Sequence, residues 1–238
     1  MRYVIFVAIL VLVYVVCAYA RIQYQYKHAN NPSIKQTGST LGAGPELRYI
    51  AAGDSTAVGE GASSVEQTYA YNIAKSLSSR YNVTYENIAK GGAKTEDVIA
   101  TQLEKIIAFN PDVVTISVGA NDATHLRSSQ SILRNYKTII DTLTEKTHAK
   151  IYITNIANFY GATLLPAWYI QLIEQRSAKL NPEILKLNNG NDRVHIIDIH
   201  DFGWSNYPDR ALTYSLDHFH PSDLGYQNWA NAFLCRMD

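Results

Sequence analysis

Residues 112–122 read Asp-Val-Val-Thr-Ile-Ser-Val-Gly-Ala-Asn-Asp, a continuous β-branched run that passes through glycine into polar residues. Such a run suits a central strand of a parallel sheet, because the side chains on both of its faces then meet apolar helices. We therefore predict a strand from Asp112 to Val118. Ligands bind beyond the carboxyl ends of strands in such a sheet, so the polar residues after Val118 are candidates for chemistry.

Four further apolar runs have the length of a strand. They are Arg48 to Ala52, Val83 to Ile88, Lys150 to Asn155 and Val194 to Ile199. Longer stretches with apolar residues at helical spacing alternate with these runs. The alternation is typical of βαβ units, and it predicts an α/β fold with a five-stranded parallel sheet covered by helices on both faces.

Three helices have clear signals at their ends or in their periodicity. One begins with Thr95 as N-cap and ends before Asn110-Pro111, and another follows Pro221-Ser222. The third has apolar residues at helical spacing from Ile132 to Leu143, and we expect a further helix around Gln171 to Leu187. The aromatic and leucine-rich stretch Phe159 to Ile170 interrupts this regular spacing. We expect an insertion there, whose aromatic residues either pack in the core or contact a substrate.

The N-terminus carries an uncharged apolar run from Tyr3 to Ala20. As a helix it would reach about 27 Å, close to the thickness of a bilayer's hydrocarbon core. It is either an uncleaved membrane anchor or a signal peptide cleaved after Ala18-Tyr19-Ala20, and both alternatives place the rest of the chain outside the cytoplasm. We divide the chain into this anchor or signal peptide (1–20), a polar linker (21–46) that is alternatively an arm packed on the domain, and one folded domain (47–238).

Charge and cysteine content exclude several classes of protein. The chain has 21 Lys and Arg residues against 21 Asp and Glu residues, so it has no basic surplus with which to bind nucleic acid. Its two cysteines, Cys17 and Cys235, form no CxxC pair, which argues against a disulfide scaffold and a structural zinc site.

Small and polar residues follow three of the predicted strands and precede the last helix. These four blocks are Gly53-Asp54-Ser55, Lys90-Gly91-Gly92-Ala93, Gly119-Ala120-Asn121-Asp122 and Asp217-His218-Phe219-His220-Pro221. Because the carboxyl ends of parallel strands meet at one edge of the sheet, we expect the four blocks to converge there.

Three residues in these blocks have the side chains that nucleophilic catalysis requires. A serine becomes a nucleophile when a base removes its proton and a third group orients the base. Ser55, His220 and Asp217 fit these roles, and the Asp-x-x-His spacing lets the carboxylate curl back to the imidazole. His218 is an alternative base, but it directly follows Asp217 and the two side chains would tend to diverge.

Acyl transfer also needs hydrogen-bond donors for the oxyanion that develops on the carbonyl oxygen. The candidates are the backbone N–H groups of Ser55 and Gly92 and the side-chain amide of Asn121. Gly92 permits close approach of the backbone because it has no Cβ.

The four blocks, in this order, resemble those of the SGNH hydrolases, the GDSL-type esterases and lipases, over about residues 48 to 236. The resemblance implies a flavodoxin-like three-layer α/β/α sandwich and no metal or organic cofactor. It also implies specific roles: Ser55 as nucleophile, Asp217 and His220 as the rest of a catalytic triad, and Ser55, Gly92 and Asn121 as the oxyanion hole. Two departures are Thr56, where the family's older nickname has leucine, and Lys90 before the glycines, which makes Gly91 an alternative oxyanion donor.

A metal site is a competing interpretation of one histidine cluster. His195, Asp198, His200 and Asp201 lie close together in sequence. Alternation along the predicted strand Val194 to Ile199 sends His195 and His200 to opposite faces, so we predict no metal there.

The sequence therefore predicts a serine esterase that hydrolyses a carboxylic ester through an acyl-enzyme. Its expected substrate is a small-molecule or glycan ester, with the O-acetyl group of a carbohydrate or cell-envelope polymer first and a longer acyl chain, as in a lysophospholipid or thioester, second. The alternative from another class is a non-catalytic ligand-binding module on the same fold. The expected partners include the membrane, through the N-terminal helix, and exclude nucleic acid; the oligomeric state stays open.

Overall fold

The computed structural model describes residues 2–29, 31–35, 38–202 and 209–237. Its sheet is built from β1 (Ser39–Leu41), β2 (Glu46–Gly53), β3 (Asn82–Asn87), β4 (Val113–Ser117), β5 (Lys150–Thr154) and β6 (Val194–Ile197). The strand order is β1-β3-β2-β4-β5-β6. Strands β2 to β6 are mutually parallel, and β1 pairs antiparallel with β3.

The five parallel strands confirm the predicted sheet, with boundaries that differ by one or two residues. The sixth strand, β1, was not predicted, and it comes from the segment that we had assigned to the linker. Three residues are too few to show strand periodicity, and β1 exists because its backbone pairs with the exposed edge of β3, from Ser39 opposite Tyr85 to Leu41 opposite Val83.

Helices cover both faces of the sheet. The described part of the chain forms α1 (Arg2–His28), which is exposed over most of its length, and α2 (Ser55–Val58), α3 (Tyr69–Leu77), α4 (Thr95–Thr101), α5 (Leu103–Phe109), α6 (Ala120–Thr124), α7 (Ser129–Lys146), α8 (Ala167–Leu185) and α9 (Asp223–Leu234). Apolar residues of α4, α5, α7 and α8 form one core cluster, and those of α3 and α9 form a second. The two clusters lie on opposite faces, as the predicted three-layer sandwich requires.

Strand β2 shows how the sequence generates these layers. Ile50 and Ala52 belong to the first core cluster, whereas Tyr49 and Ala51 belong to the second. Successive side chains of a strand point to opposite faces, so a continuous apolar run supplies both cores at once. The second core also holds tyrosine rings, since Tyr49 stacks on Tyr85 inside it.

The helix predicted from Thr95 to Asn110 is two helices, α4 and α5, separated at Gln102. Thr95 is not the N-cap: Lys94 occupies that position, and its backbone N–H donates to Asp97. The Thr95 side chain instead bonds Asp122, which lies beyond the next strand. A tertiary contact thus uses the hydroxyl that would otherwise cap the helix.

Of two other helices, α8 differs from the prediction at its first residue and α9 agrees with it. Helix α8 begins at Ala167, four residues before the predicted Gln171, because Pro166 occupies its N-cap position. Helix α9 begins at Asp223, and its N-cap Ser222 accepts a hydrogen bond from the N–H of Gly225, as the Pro221-Ser222 pair indicates.

The apolar N-terminal run continues as a helix past its predicted end. Helix α1 extends to His28, eight residues beyond Ala20. Within it, Tyr3–Gln25 is long and apolar enough to cross a membrane, with a mean hydropathy of 2.7. The segment assigned to a linker therefore contains the end of this helix and strand β1.

The sheet reverses its strand order beside β2. The chain moves from β2 outward to β3, then returns to the other side of β2 to form β4, β5 and β6. Ligands in open α/β sheets bind at such a switch point, beyond the carboxyl ends of the strands. The residues that follow β2 and β4 lie at this point.

Candidate active site

Ser55 leaves strand β2 through a turn that only glycine allows. Gly53 has a φ of +128°, and a Cβ there would lie 1.9 Å from the carbonyl oxygen of Ser117. The N–H of Asp54 donates to that same carbonyl at 2.9 Å. Ser55 then begins α2 with its side chain at the end of the sheet, and it is 7% exposed.

The Asp54 carboxylate bonds the loop around the serine. Its Oδ1 accepts the backbone N–H of Thr56 at 2.9 Å and the Thr56 hydroxyl at 2.7 Å. Burial raises the pKa of Asp54 to about 6. These contacts with neighbouring loop atoms give Asp54 a structural role beside Ser55.

Asp217 and His220 meet on a tight turn before α9. The turn is closed by a hydrogen bond from the N–H of Ser215 to the carbonyl of His220, at 2.8 Å. The imidazole Nδ1 lies 2.6 Å from Asp217 Oδ2, and Nε2 lies 2.9 Å from Ser55 Oγ. The structure therefore brings Ser55, His220 and Asp217 into one hydrogen-bonded chain.

The hydrogen bonds and charges around these three residues favour the ionised form of Asp217. Burial alone would raise the pKa of Asp217, but its hydrogen bonds from the His220 side chain and from backbone N–H groups lower that pKa to about 2. Burial alone would lower the pKa of His220, yet the hydrogen bond and charge of Asp217, with smaller contributions from Glu60 and Asp54, raise it. A carboxylate that stays ionised holds the imidazole in one orientation and stabilises its protonated form.

The alternative base His218 points elsewhere. Its side chain is exposed, and its backbone lies in the left-handed region at a φ of +58°. Its carbonyl accepts hydrogen bonds from the N–H groups of Thr163 and Leu164. His218 thus joins this turn to the segment before α8, and the Ser55 hydroxyl lies beside His220.

Gly92 lies on a loop and Asn121 lies in the first turn of α6, and both border the same groove as Ser55. Residues 90–93 form a turn in which the N–H of Ala93 donates to the carbonyl of Lys90, and Gly92 has a φ of +76° at its third position. A Cβ at Gly92 would meet no atom within 4 Å, so that position opens into the groove. The Asn121 amide donates to the carbonyl of Ala93 at 3.1 Å, which ties this loop to the first turn of α6.

Gly91 has a different environment from Gly92. A Cβ at Gly91 would lie 2.3 Å from Oε1 of Glu60. Glu60 thus fills the space on that side of the turn, while the Gly92 side stays open. This asymmetry favours Gly92 as the residue whose backbone can approach a substrate.

The Asp122 carboxylate binds the first residue of α4. It accepts the N–H of Thr95 at 2.9 Å and the Thr95 hydroxyl at 2.7 Å. Burial raises the pKa of Asp122 above its ordinary value. The residue therefore fixes the start of α4 against α6, the helix that carries Asn121.

The candidate metal cluster is dispersed. The His195 ring stacks on Tyr152, whereas His200 bonds Glu174 and Asp201. Strand β6 ends at Ile197, so alternation along the predicted strand to Ile199 does not extend to His200. Among the described residues, no group of three or more His, Cys, Asp or Glu side chains is arranged to hold a metal ion.

Two spaces of very different size meet at Ser55. The first is a narrow, mostly apolar cavity of about 40 Å³ whose walls include Ala157, Phe159, Tyr214 and Trp229. The second is an open groove of about 580 Å³. Its walls include Gln23, Glu60, Gly92, His125, Leu165 and Tyr169.

Sequence reasoning missed two polar residues at this site. The carboxylate of Glu60 lies 3.5 Å from Nε2 of His220, and the amide of Asn31 lies 2.9 Å from Oδ2 of Asp217. Glu60 stands between Gly59 and Gly61, five residues after Ser55, so its proximity to Ser55 in the sequence was a usable signal. Asn31 lies in the segment assigned to a linker, and no pattern in the sequence connects it with Asp217.

Comparison with known proteins gives the class of protein to which this three-layer α/β/α fold belongs, the ester-bond hydrolases. The model of the GDSL-like lipase/acylhydrolase family matches residues 51–227. The chain belongs to this family.

Individual relatives include both lipases and esterases. The spore germination lipase LipC of Bacillus licheniformis is 25% identical over 203 residues, which cover 76% of this chain and 92% of LipC. Two solved structures share the fold. The lipase Lip_vut3 from a goat rumen metagenome has a TM-score of 0.64 at 22% identity, with 80% of this chain and 97% of that one covered. The acetylxylan esterase Axe2 of Geobacillus stearothermophilus has a TM-score of 0.61 at 17% identity, with 82% and 95% covered.

Proposed function

We propose that this ester hydrolase is a serine esterase that works through an acyl-enzyme. The observation that carries the proposal is the unbroken chain from Ser55 Oγ to His220 Nε2, at 2.9 Å, and from His220 Nδ1 to Asp217, at 2.6 Å. This is the arrangement in which a base can take the serine proton while a buried carboxylate orients the base.

The proposed reaction has two half-reactions. Ser55 Oγ attacks the ester carbonyl carbon while its proton moves to His220 Nε2. The oxyanion accepts hydrogen bonds from the N–H groups of Ser55 and Gly92 and from the Asn121 amide. The bond to the alcohol oxygen then breaks, and His220 returns the proton to the leaving alcohol. In the second half-reaction water attacks the acyl-enzyme through the same base, which releases the acid and restores the Ser55 hydroxyl.

The size of the two spaces supports a short acyl group on a larger alcohol. A cavity of about 40 Å³ beside Ser55 suits an acetyl group, while a long acyl chain exceeds it. The groove of about 580 Å³ carries polar side chains, including Gln23, Glu60 and His125, that suit a hydroxyl-rich alcohol. We therefore propose the O-acetyl ester of a carbohydrate or cell-envelope polymer as the substrate class, and the acetylxylan esterase activity named for Axe2 supports this choice.

A longer acyl chain is the second candidate. Leu164, Leu165 and Ile22 give one side of the open groove an apolar wall along which such a chain would lie. The relatives described as lipases agree with this alternative.

We also propose that α1 anchors the enzyme in a membrane and that the domain acts outside the cytoplasm. At about 1.5 Å per residue, a helix of the length of Tyr3–Gln25 matches the hydrocarbon core of a bilayer with a moderate tilt. The alternative is a cleaved signal peptide, which would release the same domain as a secreted enzyme.

The test uses the full chain in detergent with p-nitrophenyl esters from acetate to palmitate, and with a fluorophosphonate probe that labels activated serines. We expect hydrolysis that is fastest with acetate, and labelling that Ser55→Ala abolishes without lowering the melting temperature by more than a few degrees. Ser76→Ala, an exposed serine on α3, is the matched control and should leave both readouts unchanged.

Each other outcome has a definite meaning. Hydrolysis or labelling that persists in Ser55→Ala would refute the assignment of the nucleophile. A folded wild-type protein that neither hydrolyses esters nor takes up the probe would instead be a ligand-binding module. A preference for acyl chains of eight or more carbons would favour the longer-chain candidate.

A further inference from the structure

A side chain from outside the family domain contacts the aspartate of the site. Asn31 lies three residues after the end of α1 and twenty residues before the start of the matched domain. Its Nδ2 donates to Oδ2 of Asp217 at 2.9 Å and lies 3.2 Å from the hydroxyl of Ser215. The Asn31 side chain is half-buried, so water competes only partly for this bond.

The hydrogen bonds of Asp217 show what Asn31 contributes. Oδ1 accepts the Ser215 hydroxyl at 2.9 Å and the backbone N–H groups of Phe219 and His220 at 2.8 Å each. Oδ2 accepts from the His220 ring at 2.6 Å and from Asn31. Among the described residues, the donors to Oδ1 all come from the turn itself, whereas Asn31 supplies a donor to the same oxygen that orients His220.

The segment that carries Asn31 is held in place on both sides. Before it, α1 contributes Ile22 and Gln23 to the wall of the groove at Ser55. After it, Ile34 packs against the second core cluster, and β1 joins the sheet beside β3. Asn31 is therefore fixed between two attachment points and does not belong to a freely moving tail.

We propose that Asn31 is a positioning residue for the proposed triad, holding Oδ2 of Asp217 in the orientation in which it binds the His220 ring. The inference rests on the proposed serine mechanism. It makes the segment between α1 and the domain a part of the active site, so the catalytic unit begins before the residues that define the family. A hydrogen bond to an ionised carboxylate is stronger than one between two neutral groups. The single amide of Asn31 can therefore affect the orientation of Asp217.

The test compares Asn31→Ala and Asn31→Asp in the full chain with p-nitrophenyl acetate as substrate. We expect Asn31→Ala to lower kcat about tenfold, the scale of one hydrogen bond to a charged group, while KM stays nearly constant. Asn31→Asp places a second carboxylate beside Asp217, which raises the pKa of His220 further. Because His220 must be neutral to act as a base, the acid limb of kcat/KM then moves to higher pH.

The matched controls are Ser76→Ala and Ser76→Asp, which make the same kinds of change at an exposed position of α3 that lines none of the spaces around the triad. Both should keep the wild-type kcat and pH profile. If Asn31→Ala fails to fold, the pH profile of Asn31→Asp still decides the question.

An unchanged kcat in Asn31→Ala together with an unchanged acid limb in Asn31→Asp would overturn the inference, and so would a loss of melting temperature alone. This result differs from failure of the proposed function. In that case the wild-type protein takes up no fluorophosphonate at Ser55 and both proposals fall together, whereas normal labelling with unaffected Asn31 variants removes only the role of Asn31.

Discussion

At the scale of single residues, the pKa of His220 depends on two opposing effects, its burial and the negative charge of the neighbouring carboxylates. Burial opposes its protonated form, but the bond and charge of Asp217 outweigh burial and raise its pKa. Glu60 adds a second carboxylate 3.5 Å from Nε2, on the side of the ring that faces Ser55. The Glu60 side chain is 32% exposed, so solvent screens its effect only in part.

This balance predicts the pH dependence of a Glu60→Gln variant. Activity requires neutral His220, so kcat/KM rises with pH through the pKa of that residue. Removing the Glu60 charge takes away one of the contributions that raise this pKa, so the acid limb of kcat/KM for p-nitrophenyl acetate should move to lower pH. The measurement is a pH–rate profile between about pH 5 and 9, a range that includes the ordinary pKa of histidine and values raised above it.

Glu104→Gln is the control for this profile, because Glu104 is an exposed carboxylate on α5 and is not among the residues that line the groove at Ser55. It should reproduce the wild-type curve. An acid limb that stays in place, or moves to higher pH, in Glu60→Gln would show that Glu60 does not act on His220.

At the scale of elements, the break between α4 and α5 has a role in the loop that carries the serine. Gln102 is buried at this break, and its side chain spans Gly53: Oε1 accepts the Gly53 N–H at 2.8 Å, and Nε2 donates to the Gly53 carbonyl at 2.9 Å. The carbonyl has a second donor in the N–H of Lys90. The N–H of Gly53, by contrast, donates to Gln102, at the point where β2 turns toward Ser55.

We expect Gln102→Ala to lower the free energy of unfolding by about 2 kcal/mol, because it leaves a buried backbone N–H without its acceptor. The lost side chain also leaves a cavity, which adds to the cost. Urea denaturation followed by circular dichroism measures the change. Thr101→Ala, an exposed neighbour in the same turn, should change stability by less than about 0.5 kcal/mol; a similar loss in both variants would contradict the role of Gln102.

At the scale of the whole molecule, the N-terminal helix and the active-site groove lie next to each other. Ile22 of α1 and Leu165, which precedes α8, both line the groove. Nearer the N-terminus of α1, the hydroxyl of Tyr14 accepts a hydrogen bond from the indole N–H of Trp168 at 3.3 Å. The membrane that we propose for α1 would therefore approach the mouth of the groove and the exposed ring of Trp168.

Tryptophan fluorescence tests this arrangement in the full chain reconstituted into phospholipid vesicles. Trp168 is 55% exposed and lies beside a helix that we expect in the bilayer, so lipids brominated in their acyl chains should quench its emission. Trp168→Phe should remove most of this quenching. Trp229→Phe, which replaces a buried ring of α9, should retain it. Equal quenching in Trp168→Phe and the wild type would contradict the proposed approach of the membrane.

The sequence by itself determined the layers of the molecule and the identity of the residues that converge. Continuous β-branched runs at 113–118 and elsewhere require burial on both faces, and parallel strands place the residues after them at one edge. Ser55, Asn121 and Asp217 could be predicted as site residues for this reason, since each follows a strand or precedes a helix whose apolar periodicity the sequence shows.

The tertiary structure alone decided the features that depend on partners distant in sequence. Strand β1 forms because β3 offers it an edge, and the helix after Thr95 breaks because Gln102 bonds Gly53. Asn31 reaches Asp217 across 186 positions, which no local pattern encodes. Periodicity reports what a segment must bury, whereas hydrogen bonds between loops depend on where the whole fold places them.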